Sequence, residues 1–476
     1  MMTMNTMKIT TLALTIALVS GCANHTQFSV PDSQVPNQWQ HTKESSQKAI
    51  TDQWWKQFND PQLNQLIEQV LNTNNDLAIA ALTLRQARLE ARLDESDLYP
   101  DLSSTTSVGK DKYLDSGQSS KSYSTDLSVS YELDLWGKLS RAADASEWSA
   151  MASREDLEST AQSLVATTAQ LYWQVGYLTE RLQLSASDIK DAKETLALTK
   201  SQYKNGSVSR LNILEAQRAL SALEATHSDY VQQLTEAHNA LAILFNQPPQ
   251  KMGLDIQALP DGSLPDIEPG IPAELLTRRP DVKSALYSLK SALATQDSTN
   301  ASYFPDLTLT GALGGSSTQL RHLLSDPIGS LGADLTLPFL NWNEMQINKD
   351  IAKVKYQSAI VTYRKTLYEA FEDVDNALSA RINYQVQQGK LQEQYNASAE
   401  AERIYRSQYQ HGAIGITDLL DAQENTRSAK ASLLENRYNQ LVNLTTIYQS
   451  LGGPDVVKSD KTLLKNTATL KPKTDE

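Results

Sequence analysis

A single cysteine, Cys22, stands in 476 residues, which excludes any disulfide or thiolate metal cluster within the chain. Apolar material is thin as well. Aromatic residues make up 7 %, hydrophobic residues of all kinds 40 %, and mean hydropathy is −0.44. A chain long enough for two or three ordinary domains could bury far more. This composition suits long helices that bury one narrow stripe. Positive charge is in deficit too. Asp and Glu outnumber Lys and Arg 56 to 43, a net charge of −13, which is the wrong sign for a nucleic-acid partner. The strongest apolar run, Ile9–Val19, is eleven residues long. A transmembrane helix needs roughly 18–20. If the chain crosses a membrane, it must do so with strands.

Catalytic patterns are missing as well. There is no Gly-Lys-Ser/Thr phosphate loop, no Gly-x-Ser-x-Gly elbow and no Gly-x-Gly-x-x-Gly cradle. The six histidines (His25, His41, His227, His238, His322 and His411) form no ligand spacing. Four of the seven methionines precede Lys8, so no methionine relay for a soft metal is supported. The expectation is a protein with no enzyme activity, no cofactor and no metal site.

What the chain does contain is a second copy of itself. Tyr203-Lys-Asn-Gly206 runs into Leu214-Glu-Ala-Gln217, and the frame returns 206 residues later as Tyr409-Gln-His-Gly412 and Leu420-Asp-Ala-Gln423. Phe245-Asn-Gln-Pro248 against Leu451-Gly-Gly-Pro454 keeps the same register. Such duplication makes the chain two copies of one unit. The halves read as residues 51–250 and 272–454, joined by a Pro-rich linker at 251–271.

Each half carries an alternating segment. Leu127, Val129, Tyr131, Leu133 and Leu135 alternate with Asp126, Ser128, Ser130, Glu132 and Asp134. In the second half Leu307, Leu309, Gly311 and Leu313 alternate with small polar residues, and Leu331 to Phe339 repeat the pattern. Period two puts the apolar set on one face and the polar set on the other. A β-hairpin is expected at about 100–136 and another at about 305–340. Their strands of about 10 residues fit a tilted membrane strand. Asp126, Glu132 and Asp134 would face a polar lumen.

After each hairpin the sequence turns helical. From Lys138 to Lys204 there is no Pro and one Gly. Leu157, Leu164, Leu171 and Leu178 lie seven apart, and Ala161, Thr168, Val175, Leu182, Ile189, Leu196 and Tyr203 form a second series. That is the seam of a coiled coil. The second half matches from Glu344 to Gln410, with Leu367, Phe371, Val374 and Leu378 on its seam. Return helices start near Arg210 and Ile416, giving helical hairpins at about 138–246 and 343–451. Each helix of this length makes a rod of about 100 Å. Four strands cannot close a barrel, and lipid offers no partner for a free edge. Three chains would supply twelve strands with a lumen and near-sixfold order. The fold class expected is mainly α with a membrane β-barrel completed in a homotrimer.

At the N-terminus, Lys8, the apolar run and Val19-Ser20-Gly21-Cys22 read as an export signal over residues 1–21. The motif resembles a bacterial lipobox, which would make Cys22 the acylated residue, followed by a polar tether at 22–50. Residues 455–476 read as a loose tail.

Taken in order, the lipobox, Trp54-Trp55…Phe58-Asn-Asp60-Pro61, Glu132-Leu-Asp-Leu-Trp-Gly137-Lys138, Leu276-Thr-Arg-Arg-Pro-Asp281 and the Tyr-x-x-Gly…Leu-Asp-Ala-Gln block ending in Leu451-Gly-Gly453 resemble the TolC-like outer-membrane factors, in particular their efflux lipoproteins. The resemblance implies a trimeric exit duct in the bacterial outer membrane, with its helical barrel in the periplasm. It implies a periplasmic membrane-fusion adaptor and an inner-membrane pump of the resistance-nodulation-division type as partners, and drugs or other toxic solutes as cargo. A duct for type I protein secretion and a non-pore coiled-coil lipoprotein are the alternatives. Asp418 and Asp421 resemble the acidic ring of the closed periplasmic end. Gly206, Ser207, Val208, Gly412, Ala413 and Ile414 would meet the adaptor. Ile414 and Glu424 depart from relatives with basic residues there, so closure by packing and acidic crowding is expected rather than a salt-bridge latch. Arg278-Arg279-Pro280-Asp281 reads as a structural helix start.

Replacing Cys22 with Ala should abolish incorporation of radiolabelled palmitate. Labelling that survives would show that acylation occurs elsewhere.

Overall fold

The computed structural model describes residues 26–41, 53–250, 253, 256, 258–267, 269–270, 272–453 and 455–457. The expected signal, Cys22, and most of the tether and tail lie outside the described residues. Helices and strands follow in the order α1 (Pro61–Thr73), α2 (Asn75–Ser96), β1 (Asp101–Lys112), β2 (Ser119–Leu133), α3 (Lys138–Lys204) and α4 (Arg210–Leu244). The second half brings α5 (Leu275–Arg278), α6 (Pro280–Ala301), β3 (Asp306–Ser317), β4 (Ile328–Thr336), α7 (Trp342–Gln410) and α8 (Ile416–Ser450). The fold is therefore mainly helical, with four antiparallel strands among the described residues.

Two compact units emerge, and each draws on both halves of the sequence. One comprises the chain up to Ser33, Thr83–Glu155 and Lys283–Thr366; the other comprises Gln34–Leu82, Asp156–Val282 and Leu367–Glu476. The first holds the sheet, in the order β1-β2-β3-β4. Its central pairing, β2 with β3, joins the two halves, with Leu127 opposite Leu313 and Tyr131 opposite Leu309. Below the strands, Trp136 stacks on Phe304 at 5.1 Å and donates its indole N–H to the Pro305 carbonyl at 2.9 Å. The start of α3 packs on α6. Trp148 stacks on Tyr287 at 5.8 Å, Lys290 Nζ sits 4.3 Å from the Trp148 ring, and Lys283 pairs with Glu155 at 2.6 Å. Ser291 donates to the Ala145 carbonyl and Ser298 to that of Lys138, each at 2.8 Å.

In the second unit the helices bury much of the expected seams, whereas Leu171, Leu182 and Ile189 are half-buried and Tyr203 is exposed at the helix end. Leu157, Ala161, Leu164, Thr168, Val175 and Leu178 are buried on α3, and Leu367, Phe371, Val374 and Leu378 on α7. Much of the seam is Ala and Thr. Thr168, Thr199 and Thr445 donate to the carbonyls four residues earlier, at 2.7, 2.8 and 3.1 Å, so these polar groups are buried without loss of a hydrogen bond. Near the chain start Trp54 stacks on Tyr448 at 4.9 Å and Phe58 on Trp173 at 4.8 Å. Asp60 caps α1 through the Gln62 and Leu63 amides and accepts from the Tyr172 hydroxyl at 2.6 Å.

The duplication is visible in the joints. Asn74 donates to the Leu244 carbonyl at 3.0 Å, and its counterpart Arg279 donates to the Ser450 carbonyl at 3.3 Å. Arg279 also makes two hydrogen bonds to Asp281, at 2.7 and 3.0 Å, and one to Asp373 at 3.1 Å. These partners offset the desolvation of a buried cation, and the Arg-Pro-Asp stretch is a structural joint. Asn246 and Gly452, 206 residues apart, both take positive φ, 56° and 61°. The copies differ in room, because a Cβ at Gly452 would lie 2.8 Å from the Arg279 backbone.

Gly452→Ala should therefore destabilise the fold by at least about 2 kcal/mol, combining backbone strain and overlap. Gly412→Ala should cost about 1 kcal/mol, because φ is +75° there and nothing lies within 4 Å. Thermal unfolding followed by helical circular dichroism orders the two variants; equal losses would contradict the account.

Candidate functional site: the sheet face and the helix tips

The sheet has two unlike faces. Leu102 on β1, Leu127 and Val129 on β2, Leu309 and Leu313 on β3 and Leu331 and Leu335 on β4 share one face by register and are exposed; Leu331 is 94 % accessible. Register puts Ser103, Ser128, Asp126, Glu132, Thr308 and Asp334 on the other. Hydroxyl pairs bridge β1 and β2 there, with Ser103 and Ser107 each 2.7 Å from Ser128 and Ser124. β1 and β4 are paired along one side only among the described residues. An apolar face of this extent with open edges does not suit water.

Of the three acids expected to line a lumen, Asp126 and Glu132 stand on this polar face. Glu132 accepts from Lys138 at 2.8 Å. Asp134 lies beyond the strand end and accepts from the Leu139 and Ser140 amides at 3.0 and 2.9 Å, capping the start of α3. Strict alternation had continued one pair too far, because a cap also uses a polar residue at that place.

In the other unit, the two helix tips share one geometry. Gly206 and Gly412 both take φ of 75°. The Ser207 amide donates to the Gln202 carbonyl and that of Ala413 to the Gln408 carbonyl, each at 2.9 Å; the Gly206 and Gly412 amides reach Tyr203 and Tyr409 at 3.0 Å. Two such bonds with a left-handed Gly close a Schellman motif. Behind the second tip, buried Tyr409, Ile416 and Leu419 form an apolar cluster against which Ile414 packs. The Tyr409 and Thr199 hydroxyls lie 2.9 Å apart. Asp418 is exposed and accepts from the Gly415 amide at 3.2 Å; in the first half Asn212 accepts from the Ser209 amide at 3.3 Å. Val208 lies just before this first-half cap, and Asp421 is exposed one turn beyond Asp418.

Asp421 lines a groove between α3, α4 and α8 together with Arg181, Asp188, Arg218, Tyr230, Glu424 and Arg427. Arg427 pairs with Glu424 at 2.8 Å. The Arg181 guanidinium lies 4.7 Å from the Tyr230 ring centre and donates to its hydroxyl. Burial pushes the Asp188 carboxyl up, against the opposing pull of Arg427 and Lys430. Arg181 and Asp188 stand seven apart, each one residue before a seam position (Leu182 and Ile189), and that spacing is the signal in the sequence for a charged strip beside the seam.

A family model described as "outer membrane efflux protein" matches residues 66–247 and 271–453. The chain is 29 % identical over 461 residues to toxin and drug export protein A of Aggregatibacter actinomycetemcomitans, covering 96 % of this chain and 100 % of that one. It is 28 % identical to the probable outer membrane lipoprotein SilC of Salmonella typhimurium, over 92 % and 97 % of the two chains. The open-state crystal structure of the Neisseria gonorrhoeae outer membrane channel MtrE superposes with a TM-score of 0.79 at 29 % identity, covering 91 % of this chain and 98 % of that one.

The raised Asp188 carboxyl has a checkable consequence. A carboxyl whose folded pKa is raised favours the fold while protonated and loses that contribution as pH climbs through the folded value. Asp188→Asn should therefore raise the melting temperature at pH 7, with the gain shrinking as pH falls toward 4. A gain that grows on acidification would reverse the assignment.

Proposed function

Because the chain belongs to the outer membrane efflux protein family, we propose that it is the outer-membrane exit duct of a tripartite efflux system. It acts as a homotrimer and passes drugs or other toxic solutes outward. The observation that supports this reading is the four-stranded sheet, with one face exposed and apolar, the other polar, and both edges unpaired among the described residues. In lipid the edges must be paired, and a twelve-stranded closure from three chains meets that demand and leaves a lumen. Asp126 and Glu132 then give the lumen a negative wall.

The two repeats, 51–250 and 272–454, each supply one helical hairpin. Helices of 67 and 69 residues are about 100 Å long and far exceed a bilayer core of about 30 Å. They extend into the periplasm, while Cys22 anchors each chain by lipid. Gly206, Ser207, Val208, Gly412, Ala413 and Ile414 at the tips meet a periplasmic membrane-fusion adaptor, and an inner-membrane pump of the resistance-nodulation-division type supplies the energy. Asp418 and Asp421 from three chains place six carboxylates around the closed mouth. Such a ring concentrates cations and repels anions. Ile414, packed on its apolar cluster, braces the tip in place of an ion-pair latch. The duct carries no catalysis.

Planar-bilayer recording of the purified trimer tests this reading. Asp418→Ala with Asp421→Ala should raise closed-state conductance several-fold, and an unchanged closed state would remove the gate assignment. A monomer that fails to insert would remove the duct.

A further inference from the structure

In a chain of net charge −13, one groove is strongly basic. Arg85, Arg88 and Arg92 lie at i, i+3 and i+7 on α2, an exposed stripe. With Arg154 of α3 they line a groove of about 580 Å³ between the two helices. Glu147 is the one carboxylate among its lining residues, and Ala150 and Met151 give it an apolar wall. Ser146 donates to Asp94, which holds α3 and α2 side by side next to the groove. Among the described residues no ion pair involves Arg85 or Arg92. Like charges one turn apart destabilise a helix, and an anion seated between them removes that penalty.

The repeat supplies a comparison. α2 (Asn75–Ser96) and α6 (Pro280–Ala301) are both 22 residues long and begin 205 residues apart. The α6 counterparts of Arg85, Arg88 and Arg92 are therefore Lys290, Leu293 and Asp297. On α6 this line is covered by the chain's own Thr26 and Phe28. Thr26 donates to Asp297 through its amide at 3.2 Å and its hydroxyl at 2.7 Å, and Lys290 Nζ sits 5.5 Å from the centre of the Phe28 ring. Leu293 and Asp297 are buried, whereas all three arginines on α2 are exposed. A peptide suits α6 because Asp297 accepts its N–H and O–H groups. Guanidinium groups accept nothing, so an occupant of the α2 groove must bring the acceptors itself.

The level of the groove narrows the choice of anion. α2 ends at Ser96, so Arg92 and Arg88 lie about 6 and 12 Å along the helix from its end. Beyond that end stand Tyr99 and, at the strand-to-helix junction of the second half, Phe339 and Trp342. All three are exposed, as suits an interfacial aromatic belt beside the leucine face. A headgroup layer of about 5–8 Å borders the hydrocarbon at that level. Guanidinium groups bind phosphate oxygens bidentately, and basic pockets between helices at a bilayer take phospholipid headgroups. We propose, on the outer-membrane reading above, that the groove between α2 and α3 binds the phosphate of an anionic phospholipid headgroup in the periplasmic leaflet. Arg92 and Arg88 stand nearest the bilayer, with Arg85 and Arg154 farther from it. An acylated Cys22 must reach the lipid, so the α6 face that Thr26 covers looks outward, and by the repeat the arginine face of α2 does too.

Native mass spectrometry of the full-length protein in mild detergent tests this, with dioleoylphosphatidylglycerol or dioleoylphosphatidylcholine added at equal concentration. Phosphatidylglycerol should be retained at least tenfold better than phosphatidylcholine. Arg85→Gln with Arg92→Gln should remove that preference with helical circular dichroism unchanged, and Arg92→Gln alone should cut it at least threefold. Lys110→Gln with Lys121→Gln, which removes the same charge from the paired strands β1 and β2, should keep it. Equal retention of the two lipids by the native protein, or a preference that survives in both arginine variants, overturns the site. Inorganic phosphate in excess should displace the lipid no better than chloride of the same ionic strength. Stronger displacement assigns the groove to free phosphate and overturns the lipid. Displacement by a ten-residue polyglutamate peptide makes it a peptide site and does the same. Planar-bilayer conductance of the same native protein reports the duct separately. A conducting protein without the lipid preference loses the site alone; a protein that retains the lipid through its arginines but never conducts loses the duct alone.

Discussion

Among the described residues the outer edges of β1 and β4 pair with no other strand, and that constraint governs the rest of the fold. A backbone N–H or C=O that finds neither water nor a partner costs several kcal/mol in an apolar medium. Alternate residues along the twelve of β1 and the nine of β4 point such groups away from the sheet, beside a face of exposed leucines. Water solvates the edge but not the face; lipid solvates the face but not the edge. Both are satisfied only when another sheet edge completes the pairing. The edge therefore sets a demand of backbone chemistry before any side chain is considered.

The helices meet a different constraint with the same economy. Rods of 67 and 69 residues cannot be held by a thick core in a chain with so few large apolar residues. They pack through Ala, Leu and Thr, with each buried threonine returning its hydroxyl to its own helix. Narrow seams let backbones approach closely, and they leave the outer faces free for other contacts. Charge is handled by pairing: Lys283 with Glu155, Arg279 with Asp281, and Arg427 with Glu424. In the tips the left-handed glycines close the turns, and Asn212 and Asp418 cap the helices that leave them.

Much of this was legible from periodicity. The sevenfold series on α3 marked Leu157, Leu164 and Leu178, all buried. The alternation from Asp126 to Leu133 marked a two-faced strand, and the repeated Tyr-x-x-Gly marked both helix ends, because these patterns are imposed by backbone geometry alone. Less could be read where one residue type serves two purposes. Asp134 continued the alternation yet caps a helix, and Asp418 carries a charge yet also caps one. As single charged residues in the sequence, Arg181, Asp188 and Arg218 carry no distinguishing pattern. Their significance comes from α3, α4 and α8 converging on one groove, and no local pattern specifies that.

The amino-acid order by itself determined the duplication, the lengths of rods and strands, the two faces of the sheet and the positions of the turns. These depend on residues a few places apart, whose relation the chain's own dihedral preferences settle. Only the tertiary structure decided that β2 pairs with β3 across the halves, that Asn74 and Arg279 serve as equivalent joints, and that α6 packs on the start of α3. Those outcomes depend on which surfaces meet after the chain has folded back over some two hundred residues, where covalent proximity no longer limits the choice and packing makes it.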